Sequence, residues 1–62
     1  MTDAARLLAL LNIVDPDRTE DAVESQQLVV LGLAVRRGRG VWPTAAGWIL
    51  MGDAGRAFDP QG

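Results

Sequence analysis

The chain of 62 residues contains no cysteine, no histidine and no tyrosine, and all six of its basic residues are arginine. Without cysteine it has no disulfides and no thiolate metal sites, and without histidine it lacks the commonest zinc ligand and general base. Ser25 is its only serine, and no recognisable motif pairs a nucleophile with a base. We therefore expect a protein that is not an enzyme and that binds no cofactor and no metal.

Long hydrophobic runs are also missing. The longest apolar run, from Leu28 to Val35, is interrupted by Gly32 and is far shorter than a bilayer-spanning helix requires. The N-terminal residues lack the basic start and the apolar region of a signal peptide. These absences predict a cytoplasmic protein with no membrane partner.

The short length limits how much surface the fold can bury. A chain of this size forms at most one domain and buries roughly 60% of the surface that its unfolded form exposes. Because disulfides and thiolate metal sites are excluded, the remaining common aid to stability is contact with another chain, identical or different. We predict one domain over residues 1–58, a tail over residues 59–62, and either a homodimer or a monomer whose exposed apolar patch is covered by its target.

Charge is unevenly distributed, although the formal net charge is only −2. Residues 1–31 carry six acids and two arginines, whereas residues 32–40 carry three arginines and no acid. The acidic half and the basic segment can face different partners or each other.

Apolar spacing predicts two helices in the first half of the chain. Apolar residues at i, i+3, i+4 and i+7, ending at Val14, indicate a first helix that Thr2 or Asp3 caps. Pro16 disfavours helix just before it, so a turn follows. Thr19 is predicted to cap the second helix, with acids in the first turn, where the helix dipole favours negative charge.

The second helix is predicted to end at Gly32, because glycine adopts the left-handed conformation of a helix C-terminus without strain. The apolar row Leu28–Leu31 cannot be buried entirely by so small a domain, so one or two of its side chains are expected to be exposed. A hairpin over Leu33–Trp42 follows, with its turn at Gly38-Arg39-Gly40.

Thr44 is predicted to cap a third helix that ends at Gly52 or Gly55. Gly47 lowers the helix propensity of this segment, and its small size permits close approach of the hairpin. The six-residue spacing of Trp42 and Trp48, with a turn between them, predicts that the two indoles lie near one another.

Three motifs follow one another in the second half of the chain: Leu31-Gly32-Leu33, Arg36-Arg37-Gly38-Arg39, and Thr44 with Gly47 three residues later. In this order they resemble the end of the recognition helix, the basic wing and the next helix start of the winged helix-turn-helix family of bacterial and phage DNA-binding proteins. The resemblance implies an α+β fold, a small winged-helix-like domain with the order helix-helix-β-hairpin-helix.

Two departures from that family redirect the functional prediction. Between Val14 and Glu20 there is only a turn, so the positioning helix of a full helix-turn-helix is absent. The start of the recognition helix presents Glu20, Asp21 and Glu24, which repel phosphates. The trimmed plan resembles, in size and style, the small winged-helix-like proteins of phages and mobile elements, among which anti-CRISPR and other host-inhibitor proteins occur.

Our first hypothesis is a non-enzymatic protein-binding module, a phage or mobile-element inhibitor of a host protein or nucleoprotein complex. The alternative is a minimal winged-helix DNA-binding transcriptional regulator, a dimer that uses its arginine wing. A third class is a structural protein whose oligomer is its function. The candidate partner-binding residues are Arg36, Arg37, Arg39, Glu20, Asp21, Glu24 and Trp42.

Each group of candidates has alternative roles. The three arginines can form a solvated turn paired with the acids of the same molecule, or they can contact a protein or nucleic acid. The acids can be a solvated face with helix caps, a partner surface or a cation site. Trp42 and Trp48 can pack in the core or anchor an interface.

Overall fold

The first helix begins where Thr2 caps it. In the computed structural model, which describes residues 1–59, α1 spans Asp3–Val14, and Thr2 Oγ1 accepts a hydrogen bond from Ala5 N at 3.1 Å. A turn follows, in which Asp15 Oδ1 accepts from Asp17 N at 2.9 Å. Helix and turn therefore agree with the sequence prediction, including the end of the helix before Pro16.

The second helix, α2, spans Ala22–Val30 and begins later than predicted. The prediction of Thr19 as its N-cap was wrong: Asp21 occupies that position, and Asp21 Oδ1 accepts a hydrogen bond from Glu24 N at 3.0 Å. Threonine and aspartate both cap helices well, but a carboxylate also gains from the positive end of the helix dipole. Glu20 therefore precedes the helix, and Glu24 is the acid in its first turn.

A Schellman motif ends α2 at the predicted glycine. Gly32 has a φ of 78°, and its N–H donates to Val29 O at 3.1 Å. Leu33 N–H donates to Leu28 O at 2.9 Å. These two bonds satisfy carbonyls that the helix end leaves free, and they turn the chain directly into the hairpin.

The hairpin consists of β1, Ala34–Arg37, and β2, Gly40–Pro43, paired antiparallel with Arg37 opposite Gly40. The turn is therefore the two-residue loop Gly38-Arg39, and Gly40 belongs to the strand rather than to the predicted three-residue turn. Gly38 has a φ of 59°, whereas no non-glycine residue in the described chain has a positive φ. A positive φ at the first loop position alone is the pattern of a type II′ turn.

The third helix, α3, spans Ala45–Met51 and is tied to the end of α2 by Thr44. Thr44 Oγ1 accepts a hydrogen bond from Gly47 N at 3.3 Å and donates one to Gly32 O at 2.7 Å. Gly52, with a φ of 55°, ends the helix. A 3₁₀ helix that the sequence had not indicated then covers Gly52–Phe58.

The core draws side chains from all three helices and both strands. Leu10 and Leu28 are fully buried at its centre, and Phe58 at the end of the 3₁₀ helix packs against it. The buried apolar residues are Ala9, Leu10, Val14, Leu28, Ala34, Val41 and Met51. The fold is mixed α+β with the order helix-helix-hairpin-helix, as the sequence predicts. Of the predicted tail, Asp59 caps the 3₁₀ helix, and residues 60–62 lie outside the described residues.

Within the described part of the chain, no helix combines the length and the apolarity that a bilayer crossing requires.

Replacing Thr44 with alanine is expected to lower the free energy of unfolding by about 1–2 kcal/mol, because both the cap of α3 and the bond to Gly32 O are lost. Urea unfolding followed by circular dichroism measures the change. The matched control is Thr19→Ala, since Thr19 is exposed and caps no helix; its effect should stay within about 0.5 kcal/mol. Equal losses in the two variants would contradict the assignment of the caps.

Candidate partner-binding surfaces

The hairpin separates the three wing arginines that the sequence placed in one cluster. Residues directly opposite in an antiparallel pair share a face, and successive residues alternate between faces. Arg36 lies opposite the buried Val41, on the face that packs toward α2. Arg37 lies on the other face, which also carries the opposed pair of Val35 and Trp42. Arg36 and Arg37 therefore point to different surroundings.

A depression lies between the start of α2 and the hairpin, and we call it the α2–hairpin depression. Its volume is about 190 Å³, and its lining is Glu20, Ala22, Ser25, Gln26, Arg36, Arg39, Gly40 and Val41. The Arg36 guanidinium donates a hydrogen bond to Gln26 Oε1. Glu20 Oε2 lies 3.9 Å from the position that a Cβ on Gly40 would occupy. At this point the acidic and basic segments of the chain face each other.

The wing arginines and the acids of α2 approach without forming direct ion pairs. Ion pairs join Arg6 to Asp3 at 3.2 Å and Arg56 to Asp53 at 3.0 Å, whereas none within residues 1–59 joins a wing arginine to Glu20, Asp21 or Glu24. Asp21 instead caps α2. The pairing of the wing with Glu20, Asp21 and Glu24, one of the alternatives raised by the sequence, is therefore not formed as salt bridges.

The solvent-facing side of α2 is uncharged and carries exposed apolar side chains. Val23 is 68% exposed and Val30 is 77% exposed, and their spacing of seven residues places them on one side of the helix. Together with neighbouring residues they form the α2 outer face: Met1, Val23, Gln26, Gln27, Val30 and Leu31. Part of this face is a groove of about 260 Å³.

The prediction that one or two residues of the row Leu28–Leu31 are exposed is confirmed, since Val30 and Leu31 are exposed while Leu28 is buried. Sequence reasoning missed Val23 as a member of the exposed face. The spacing of i and i+7 between Val23 and Val30 was the signal that could have identified it.

The two tryptophans form a second surface on the other side of the hairpin. Their rings meet edge to face, with centroids 5.9 Å apart and planes at 65°, which confirms the predicted proximity. Both are half-buried: each ring packs against the core and leaves part of its area exposed on the surface. Ile49 is 79% exposed beside them. A shallow pocket of about 500 Å³ is lined here by Arg37, Trp42, Pro43, Ala45, Trp48, Ile49 and Asp59.

No protein-family model, no curated protein and no solved structure matches this chain. The class of protein is therefore defined by the fold alone. It is a small, helix-rich α+β domain with a two-stranded hairpin, and its shape is compatible with a winged helix.

Proposed function

We propose that this chain is a non-enzymatic protein-binding module that docks on its partner through the α2 outer face. The observation that carries the proposal is the exposure of Val23 and Val30 on one uncharged side of the helix. Scattered single apolar residues are normal on protein surfaces, but Val30, Leu31 and Met1 border one groove, and exposed apolar side chains grouped in this way are typical of an interaction site.

The charge around α2 favours a protein partner over duplex DNA. In the family that the sequence resembles, the corresponding helix enters the major groove, where cations are needed close to the phosphates. The α2 outer face contains no arginine, and the carboxylates of Glu20 and Asp21 stand at its start. A protein surface accepts such a helix, because apolar contacts at the centre and polar groups at the rim are the normal anatomy of an interface.

The glutamines on the α2 outer face suit the same role. Gln26 and Gln27 lie between Val23 and Val30 along the helix and line the groove. Their amides can donate to and accept from a partner backbone. The exposed Arg39 would stand at the rim, where charge affects the rate and specificity of association more than its strength.

The small size of the domain and the absence of a positioning helix suggest a biological role for this binding. Like the phage and mobile-element proteins that it resembles in style, the chain would act by occupying a surface of a host protein or nucleoprotein complex, and so inhibit it. No catalytic step is needed for such an activity.

The test is affinity capture from host lysate with the wild-type chain and with variants of the α2 outer face. Val23→Gln and Val30→Gln are each expected to weaken binding of the captured protein about tenfold, because each removes a buried apolar side chain from the contact. The matched control is Ala46→Gln, at an exposed position of α3, and it should bind like the wild type. A partner held equally by all four proteins would contradict the proposal.

Duplex DNA is expected to bind weakly or not at all at physiological salt, because three arginines on two faces oppose an acidic helix start. Fluorescence anisotropy with a labelled duplex measures this. Tight binding with a steep salt dependence would favour the DNA-binding regulator instead. In that case, neutralising Arg36, Arg37 or Arg39 should each reduce the salt slope by about 1.

A second copy of the chain is the other candidate occupant of the α2 outer face. Sedimentation at micromolar concentration separates the two cases. A dimer that dissociates on dilution and is abolished by Val30→Gln would assign the face to self-association, and the proposal of a different protein partner would then be wrong.

A further inference from the structure

Ser25 lines the α2–hairpin depression with a hydroxyl that has no hydrogen-bond partner. The residue is only 5% exposed, yet its side chain forms no hydrogen bond within residues 1–59. Among residues 1–59, the fully buried polar side-chain atom without a partner is Arg6 Nε, so Ser25 Oγ keeps some contact with solvent in the depression. Such a group is typical of a position where water or a ligand completes the hydrogen bonding.

The surroundings of Ser25 are suited to an anion. Arg36 and Arg39 line the same depression, and Ala22, the first residue of α2, lies there too. The first N–H groups of a helix have no partner within the helix, and its dipole is positive at this end. Because Asp21 caps Glu24 N, the N–H of Ala22 is not used by the cap.

We propose that the α2–hairpin depression binds a single phosphate group, either inorganic phosphate or the phosphate of a small monoester. Ser25 Oγ and Ala22 N would donate to its oxygens, while Arg36 and Arg39 would supply charge-assisted hydrogen bonds. The inference goes beyond the docking role, because it concerns a different ligand and a depression that shares only Gln26 with the α2 outer face.

The charges that border the depression favour one phosphate group over a nucleic-acid backbone. A polyanion running past this point would meet Asp21 and Glu24 as well, and their carboxylates repel it. A small dianion held between Ser25 and the two arginines meets fewer of these carboxylates than a polyanion does.

The Glu20 carboxylate repels a bound phosphate, so neutralising it should strengthen phosphate binding. The carboxylate lies over Gly40 at the border of the depression, so one negative charge offsets one of the two arginines. Because the side chain is exposed, it can turn away when an anion enters. Glu20→Gln removes the repulsion and should tighten phosphate binding by about threefold.

The experiment is a titration of the isotope-labelled chain with sodium phosphate at constant ionic strength, followed by amide NMR. Saturable shifts are expected at Ala22, Ser25 and Gly40. Arg39→Gln should weaken binding about fivefold, and Ser25→Ala about threefold, because each removes a donor. The matched control is Arg37→Gln, which removes the same charge from the opposite face of the hairpin and should change the affinity less than about twofold.

The same titration is repeated with phosphoserine, as the free amino acid, and with a short DNA duplex. Tighter saturation by phosphoserine than by inorganic phosphate assigns the site to monoesters, and the reverse order assigns it to the free ion. The proposal is overturned by the absence of saturable shifts, by an equal loss in Arg37→Gln and Arg39→Gln, or by larger shifts with the duplex than with either small phosphate. Thermal unfolding shows whether the Ser25→Ala variant is folded. Because Arg39 is exposed, Arg39→Gln tests phosphate binding without changing a buried residue.

Discussion

Replacement of Gly47 with alanine is expected to destabilise the domain by about 3 kcal/mol or more, although alanine is the better helix former by about 1 kcal/mol. A Cβ at this position would lie 2.2 Å from Leu33 O, 3.2 Å from Pro43 Cβ and 3.3 Å from Leu10 Cδ2. The first distance is far inside van der Waals contact and involves a backbone atom. The clash therefore outweighs the gain in propensity.

The Leu33 carbonyl cannot rotate away from the added methyl group at low cost. Its oxygen accepts the hydrogen bond of Thr44 N at 3.0 Å, which joins the segment between α2 and β1 to the cap of α3. Relief of the clash requires α3 to move away from the hairpin, and this would weaken the bonds of Thr44 and open the core beside Leu10. A domain of this size has a total stability of about 3–9 kcal/mol, so the variant should be largely unfolded.

Urea unfolding and the dispersion of amide NMR signals measure the effect. The matched control is Gly40→Ala, because the nearest atom to its added Cβ is the flexible Glu20 Oε2 at 3.9 Å and its φ is not positive. Gly40→Ala should be neutral within about 1 kcal/mol or slightly stabilising, through the unfolded state. A well-folded Gly47→Ala variant with an unchanged urea midpoint would show that α3 does not pack on the hairpin as described.

Replacement of Leu28 with alanine is the second large effect, an expected loss of about 2–5 kcal/mol. Leu28 is fully buried in the core, and its carbonyl accepts the hydrogen bond from Leu33 N that ends α2. The truncation leaves a cavity between α1, α2 and the hairpin, and the short elements around it can collapse only in part.

The same residue type three positions later provides the control for this prediction. Leu31 is half-exposed at the end of α2, so Leu31→Ala should cost less than about 1 kcal/mol. Urea midpoints of the two variants compare them directly. Similar losses at both positions would mean that the apolar row Leu28–Leu31 is covered throughout, and the α2 outer face would then not be free to bind a partner.

The helix ends and the hairpin could be predicted because local chemistry determines them. Thr2 and Thr44 each accept a backbone N–H three residues later, and Gly32 adopts a left-handed conformation that other residues avoid. The start of α2 was misplaced because Thr19 and Asp21 are both good caps, and residue preference alone does not choose between them. The contact of Asp21 with Glu24 N decides it.

The grouping of functional side chains was decided by the tertiary structure. Along the sequence Arg36, Arg37 and Arg39 form one basic cluster, but strand alternation and the packing of one hairpin face toward α2 place Arg36 beside Gln26 and Arg37 beside Trp42. Ser25 was notable in the sequence only as the single serine; its burial beside two arginines depends on where the hairpin lies against the helix.

The sequence by itself determined the order of the three helices and the hairpin, the caps of α1 and α3, the glycine that ends α2, and the surplus of apolar side chains on α2, because each depends on interactions within a few residues. The tertiary structure decided which of those apolar side chains stay exposed and which charges meet. Burial and the approach of charges depend on contacts between segments distant in the chain, such as Gly47 with Leu33 and Glu20 with Gly40. Local residue preferences carry no information about those distances.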